Sequence, residues 1–187
     1  MNDPFAELPV LPVVIPVGIL LFAILLLVLR SRRRLTLPRA AVAAALGVYA
    51  AGVLGNTVFP IFLHPTRTGP WEPALALVPF ADYEFEDALM NMLVFVPLGI
   101  LVALLLTRPT WWRVVAICAG VSLTVELMQL GAQDLFGGGH VADVNDFLSN
   151  TAGGAIGFAA FVLLTRVPLT ARLVEPFRWR TAELARA

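Results

Sequence analysis

Residues 8–29, LPVLPVVIPVGILLFAILLLVL, hold no charged side chain over a length that can cross a bilayer. A hydrocarbon core accepts about 20 consecutive, mostly apolar residues as a helix. Four further stretches, 39–62, 88–106, 112–130 and 147–165, meet the same requirement. In lipid every backbone polar group has to bond internally, which leaves helices for segments of this length. Composition agrees: 59% of the chain is hydrophobic and 14% is charged, too little charge for a soluble domain of 187 residues. The sequence therefore predicts an all-α integral membrane protein, a five-helix transmembrane bundle in one domain. The first stretch is read as a retained span. Its flank, MNDPFAE, is acidic where a signal peptide is basic, and no Ala-x-Ala-like cleavage site follows.

Orientation follows from where the arginines fall. Arg30, Arg32, Arg33, Arg34 and Arg39 follow the first span, Arg108 and Arg113 lie between the third and fourth, and Arg166, Arg172, Arg178, Arg180 and Arg186 follow the fifth. Only Arg67 lies on the opposite side, which takes ten of the thirteen acids. Basic residues in short loops mark the cytoplasmic face, so the N-terminus is expected outside and the C-terminus in the cytoplasm. The RSRRR run is read as a topology signal, and nucleic acid is not expected as a partner. Residues 1–167 form the transmembrane domain in this reading. Residues 168–187 form an Arg-rich cytoplasmic tail, whose alternating arginines and aromatics would lie along the inner interface.

The informative residues are the polar ones within or beside the spans. At 100° per residue, Cys118, Ser122, Glu126, Gln129 and Gln133 share one stripe of the fourth helix. Cys118 and Ser122 read best as an interhelical seam. Glu126 is a costlier residue to place in a membrane and points to function. It is expected roughly one turn below the outer end of its span. Asp143, Asp146, Asn150, Gly153, Gly154 and Gly157 form a second stripe if the fifth helix begins near Asp143. Asp143 and Asp146 also fit an N-cap and capping-box pair, which does not account for Asn150. Glu84, Asp87 and Asn91 align similarly on the third helix if it extends that far back, and Asn56 adds an amide near the outer end of the second. Asn91, Glu126 and Asn150 are expected to line one polar cavity in the outer part of the membrane.

No enzyme motif accompanies these residues. GVSLT is not a Gly-x-Ser-x-Gly elbow, and no His-Glu-x-x-His zinc motif occurs. The GGGH stretch lacks the companion basic motifs of membrane acid phosphatases. Oxygen and imidazole ligands from His140, Asp143 and Asp146 suit a hard divalent ion, but the spacing is weak evidence, and no metal or cofactor is expected. Cys118 is the only cysteine, so no intrachain disulfide can form.

Three ordered motifs, NMLVFVPLGILVALL (91–105), SLTVELMQL (122–130) and GHVADVNDFLSNTAGGAIGF (139–158), together with LVPF (77–80), resemble the VanZ-like family. The similarity spans roughly residues 43–167. The namesake of that family is associated with teicoplanin resistance, and the resemblance implies a multi-pass protein of the bacterial cell membrane with a role in cell-envelope biology or glycopeptide tolerance. It places the polar signature on Asn91, Glu126, Gln129, Asp143, Asp146 and Asn150. At 140 the family usually carries arginine, whereas this chain has His140, which titrates near neutrality. His140 is included in the candidate ligand-binding set.

Three functions fit these residues. The chain engages a polar envelope component, such as a lipid-linked cell-wall precursor or its peptide, at an extracytoplasmic pocket. Alternatively it is an intramembrane enzyme using Glu126 with Asp143 or Asp146 as an acid/base pair. The third is a structural subunit that presents its Gly153/Gly157 face to a protein partner. In all three the bilayer is its surroundings.

Overall fold

A computed structural model describes residues 7–63, 75–80, 84–136 and 141–179. Within them lie six α-helices: α1 (Leu11–Ser31), α2 (Leu37–Thr57), α3 (Phe85–Leu105), α4 (Trp111–Phe136), α5 (Val144–Arg166) and the short α6 (Pro168–Val174), followed by one 3-10 turn, Glu175–Phe177. The first five are each long and apolar enough to cross a membrane. Besides an isolated antiparallel bridge between Glu7 and Phe62, the described residues hold a two-residue parallel ladder. In it β1 (Leu75–Ala76) pairs with β2 (Ala142–Asp143), Leu75 opposite Ala142 and Ala76 opposite Asp143.

Local chemistry sets the helix ends. Prolines in the first turn of α1, α2 and α6 cost no hydrogen bond there and preset the helical φ. The second helix stops at Thr57 rather than running to 62, since Pro60 lacks a donor and disfavours helix in the residue before it. The third begins at Phe85, with Glu86 and Asp87 in its first turn complementing the N-terminal end of its dipole. It runs unbroken through Pro97. The fourth helix continues to Phe136, six residues beyond the expected end, carrying Gln133 and Asp134 with it.

Packing puts α5 at the centre. It lies against α3 on one side and α4 on the other, while α3 and α4 meet each other far less. A Cβ added at Gly153 would meet the backbone of Met92, and one at Gly157 the backbone of Val96. On the facing helix, a Cβ at Gly99 would meet the backbone of Gly154 and Phe158. Main chain thus approaches main chain along the stretch from Met92 to Gly99 on α3 and Gly153 to Phe158 on α5. This corrects one expectation: the Gly153/Gly157 face is covered by the chain's own α3 and is not offered to another protein. Both residues are buried. Phe95, Leu98, Val102, Val114, Cys118 and Phe161 fill the core around this seam. The α1–α2 pair has its own close crossing at Gly18 and Gly47 and leans on the rest through far fewer contacts.

Residues 175–179 dock against the arginine-bearing end of the bundle. The backbone N–H of Trp179 donates to the Leu104 carbonyl (2.9 Å), one of the carbonyls that the end of α3 leaves without a helical partner. Arg39 Nε donates to the Arg178 carbonyl (2.9 Å) and Arg34 Nη1 to that of Trp179 (3.3 Å). The Arg178 guanidinium lies 5.5 Å from the centre of the Phe161 ring. Two arginines that read as topology signals thereby also hold the tail.

Candidate functional site

The candidate residues gather at the end of the bundle opposite this cluster. Asn91 lies six residues into α3 and Asn150 six residues into α5, each roughly 9 Å from the start of its helix at 1.5 Å per residue. Glu126 stands ten residues before the end of α4, about 15 Å in. The helix runs past the expected end of the span at 130, so its terminus lies farther from Glu126 than that end does.

The N-terminus of α5 is the hub. Asp143 is its N-cap, and its Oδ1 accepts from the backbone N–H of Asn145 (2.8 Å), as the capping pattern predicts. No capping box follows. In a box the acid three residues on would accept the cap's own N–H. Here Glu126 takes that proton across from α4, its Oε2 lying 2.9 Å from the Asp143 nitrogen. Asp146 turns to α3 instead, where its Oδ1 accepts from Asn91 Nδ2 at 2.5 Å. One turn further on, Asn150 Nδ2 donates to Ser122 Oγ of α4 (3.1 Å). Three successive levels of α5 are therefore pinned alternately to its two neighbours.

Asn145 belongs to this site although it lies off the stripe formed by Asp143, Asp146 and Asn150. It is 2% exposed. Its Nδ2 donates to Asp143 Oδ1 (2.9 Å), and its Oδ1 accepts from the Phe80 backbone N–H (2.7 Å). Phe80 has a positive φ of 63°. With the β1–β2 ladder, Asn145 ties the LVPF segment to the head of α5. Its burial between two acids in DVNDF was the only hint that the sequence held. Glu84 and Asp87 are exposed and take no part.

Two cavities border the pinned residues. Asn91 and Asn150, with Asn56, line a cavity of about 400 Å³ between α2, α3 and α5 that also touches Tyr49, Phe95 and Pro97. Glu126 and Asp143 line another, of about 280 Å³, walled by Leu75, Leu77, Leu123 and Phe147. Gln129 lines neither, and its Oε1 is buried without a hydrogen-bond partner. His140 lies outside the described residues. Among the described residues no three His, Cys, Asp or Glu side chains gather to hold a metal ion.

A family model described as VanZ/LLP1 matches residues 19–165. The chain belongs to the VanZ/LLP1 family. The match takes in all five long helices, from within α1 to the penultimate residue of α5, and so every described candidate residue. No curated protein and no solved structure matches the chain.

Beside the amide cavity of this VanZ/LLP1 site, the Asn150 side chain has chemistry to spare. Asn150 is 4% exposed, its amide nitrogen is used, and its Oδ1 is buried with no hydrogen-bond partner. Leaving such an acceptor unpaired costs about 1–3 kcal/mol. Its side chain borders the 400 Å³ cavity, so a donor entering there would recover that energy.

Proposed function

We propose that this family member is a binding protein of the bacterial cell membrane, which holds the polar part of a cell-envelope component between α2, α3 and α5. The unpartnered Asn150 carbonyl carries the reading: a fixed, buried acceptor beside an amide-lined cavity is suited to recognition. The polar end faces outward in this proposal, as the arginine distribution supports, and a lipid-linked cell-wall precursor or its peptide is the component expected there. An accessory role in envelope maintenance or glycopeptide tolerance would follow from such binding.

The acid/base reading has less support. Glu126 Oε2 accepts from the Asp143 backbone N–H, and Asp143 Oδ1 accepts two hydrogen bonds, from the backbone N–H and the side-chain amide of Asn145. Both acids have positioning work that needs no substrate. Native mass spectrometry of gently extracted protein tests the binding proposal. A polar-headed lipid should accompany the wild type and be lost from Asn150→Leu and from Asn56→Leu, the second of which leaves the α4–α5 bond intact. Equal retention by both variants would exclude this cavity as the binding site.

A further inference from the structure

The amide-lined cavity adjoins a second, larger space. A cleft of about 470 Å³ lies between α2 and the α3–α4 pair, and it shares Tyr49, Val53 and Thr57 with the amide cavity as common wall. Beyond that junction the lining is hydrocarbon, including Leu46, Leu98, Val102 and Val121. Its threonines add little polarity, because Thr57 and Thr124 donate to carbonyls of their own helices, Val53 and Gly120, each at 2.8 Å. Tyr49 stands at the junction with its hydroxyl buried and unpartnered.

Along α3 the two spaces follow one another, the amide cavity from Asn91 to Pro97 and the cleft from Leu98 to Leu105. Together they cover fifteen residues, about 22 Å of a hydrocarbon core of about 30 Å. The order is hydrogen-bonding groups first and hydrocarbon after, as a lipid runs from head to tail. Among the described residues lining either space none is charged. A phosphate or ammonium group held there would lack a counter-charge, whereas a hydroxyl or amide would meet the Asn150 carbonyl and the Asn56 and Asn91 amides.

We infer that α2, α3 and α4 hold a single hydrocarbon chain of a membrane lipid in this cleft, with an uncharged hydroxyl- or amide-bearing head in the Asn56–Asn91–Asn150 cavity. The inference rests on the binding proposal above for its site and departs from it on the ligand, because the phosphate of a lipid-linked precursor would meet no counter-charge in this cavity. An acylglycerol and an isoprenoid alcohol share the required chemistry.

The test uses the full chain in detergent, titrated in native mass spectrometry with monoolein, with geranylgeraniol, and with an oleoyl lysophosphatidylglycerol of matched tail. At least one of the two uncharged lipids should bind about tenfold more tightly than the anionic one, the worth of one or two hydrogen bonds. The tighter of the two identifies the source as acylglycerol or isoprenoid. Asn150→Leu and Asn56→Leu should erase that preference, and Ala50→Trp or Val121→Phe, which fill the cleft, should weaken the uncharged lipid at least tenfold. If cleft-filling leaves binding unchanged while the asparagine variants abolish it, the chain-binding inference fails and the polar-cavity proposal survives. If the asparagine variants change nothing, both fail. Equal or tighter binding of the anionic lipid overturns the uncharged head.

Discussion

Gly153→Ala should loosen the whole polar end of the molecule. The added Cβ would meet the Met92 carbonyl oxygen, with Met92 Cα at 2.8 Å and its carbonyl carbon at 2.9 Å. Non-bonded carbons rest about 3.5–4.0 Å apart, so α3 and α5 would have to separate by roughly 0.7 Å or more. The obstacle is backbone and cannot rotate away. Overpacking of this kind costs about 1–3 kcal/mol, and the same displacement pulls on the bond between Asp146, two turns back along α5, and Asn91, the neighbour of Met92. Gly120→Ala is the internal control. Nothing lies within 4 Å of a Cβ there, and alanine is the better helix former by about 1 kcal/mol. That gain applies to both glycines, so the two variants should differ by the overpacking cost, roughly 1–3 kcal/mol, with Gly120→Ala the more stable. Cys118 supplies the assay, being the only cysteine and fully buried against Gly154. A thiol-reactive fluorophore would report its exposure as detergent-solubilised protein is unfolded. Coincident transitions for Gly153→Ala and Gly120→Ala would refute the backbone-contact argument.

Three further outcomes are expected. Glu126→Gln retains an acceptor for the Asp143 N–H and should unfold close to wild type, whereas Glu126→Leu strands that proton and should cost about 1–3 kcal/mol in the same assay; equal loss in both would mean that the carboxylate charge matters. A double-mutant cycle on Asn91→Ala and Asp146→Ala should give a coupling of roughly 0.6–1.7 kcal/mol, the range for hydrogen bonds between membrane helices, and zero coupling would remove this bond from the account. With Cys118 replaced by serine, a cysteine at Gly138 should react with an impermeant reagent from outside the cell and one at Ser31 should not; the reverse pattern would invert the proposed topology.

The five spans were legible because hydrocarbon imposes length and polarity on each helix separately. The Asp143 cap and the placing of Ser122 and Asn150 on inward faces were legible too, since both follow from helical geometry within one segment. Partnership was not. Periodicity marks the glycine stripe of α5 as a close-packing face but is silent on whether α3, α4 or another protein fills it. Likewise Asp146 fits a capping box on sequence until Asn91 arrives from 55 residues away to claim it. Arg34 and Arg39 were read only for their charge because the carbonyls they reach lie 145 and 139 positions along the chain. That Asn150 borders a cavity with Asn56 and Asn91, and Glu126 one with Asp143, depends on α5 standing between α3 and α4, an arrangement that no single helix encodes.

That central position of α5 also sets an order of assembly. α1 and α2 can close on each other as soon as both are in the membrane, through the Gly18–Gly47 crossing. Synthesis runs from the N-terminus, so α3 enters before its main partner exists and must keep Asn91 and the bare backbone at Gly99 open to lipid while α4 is being made. Only the arrival of α5 converts these waiting surfaces into the native seam, and the carbonyl of Leu104 waits longer still, until Trp179 has emerged. The molecule is therefore completed from its far end backwards, and a chain interrupted between α4 and α5 would present quality-control proteases with a half-built bundle whose polar groups face hydrocarbon.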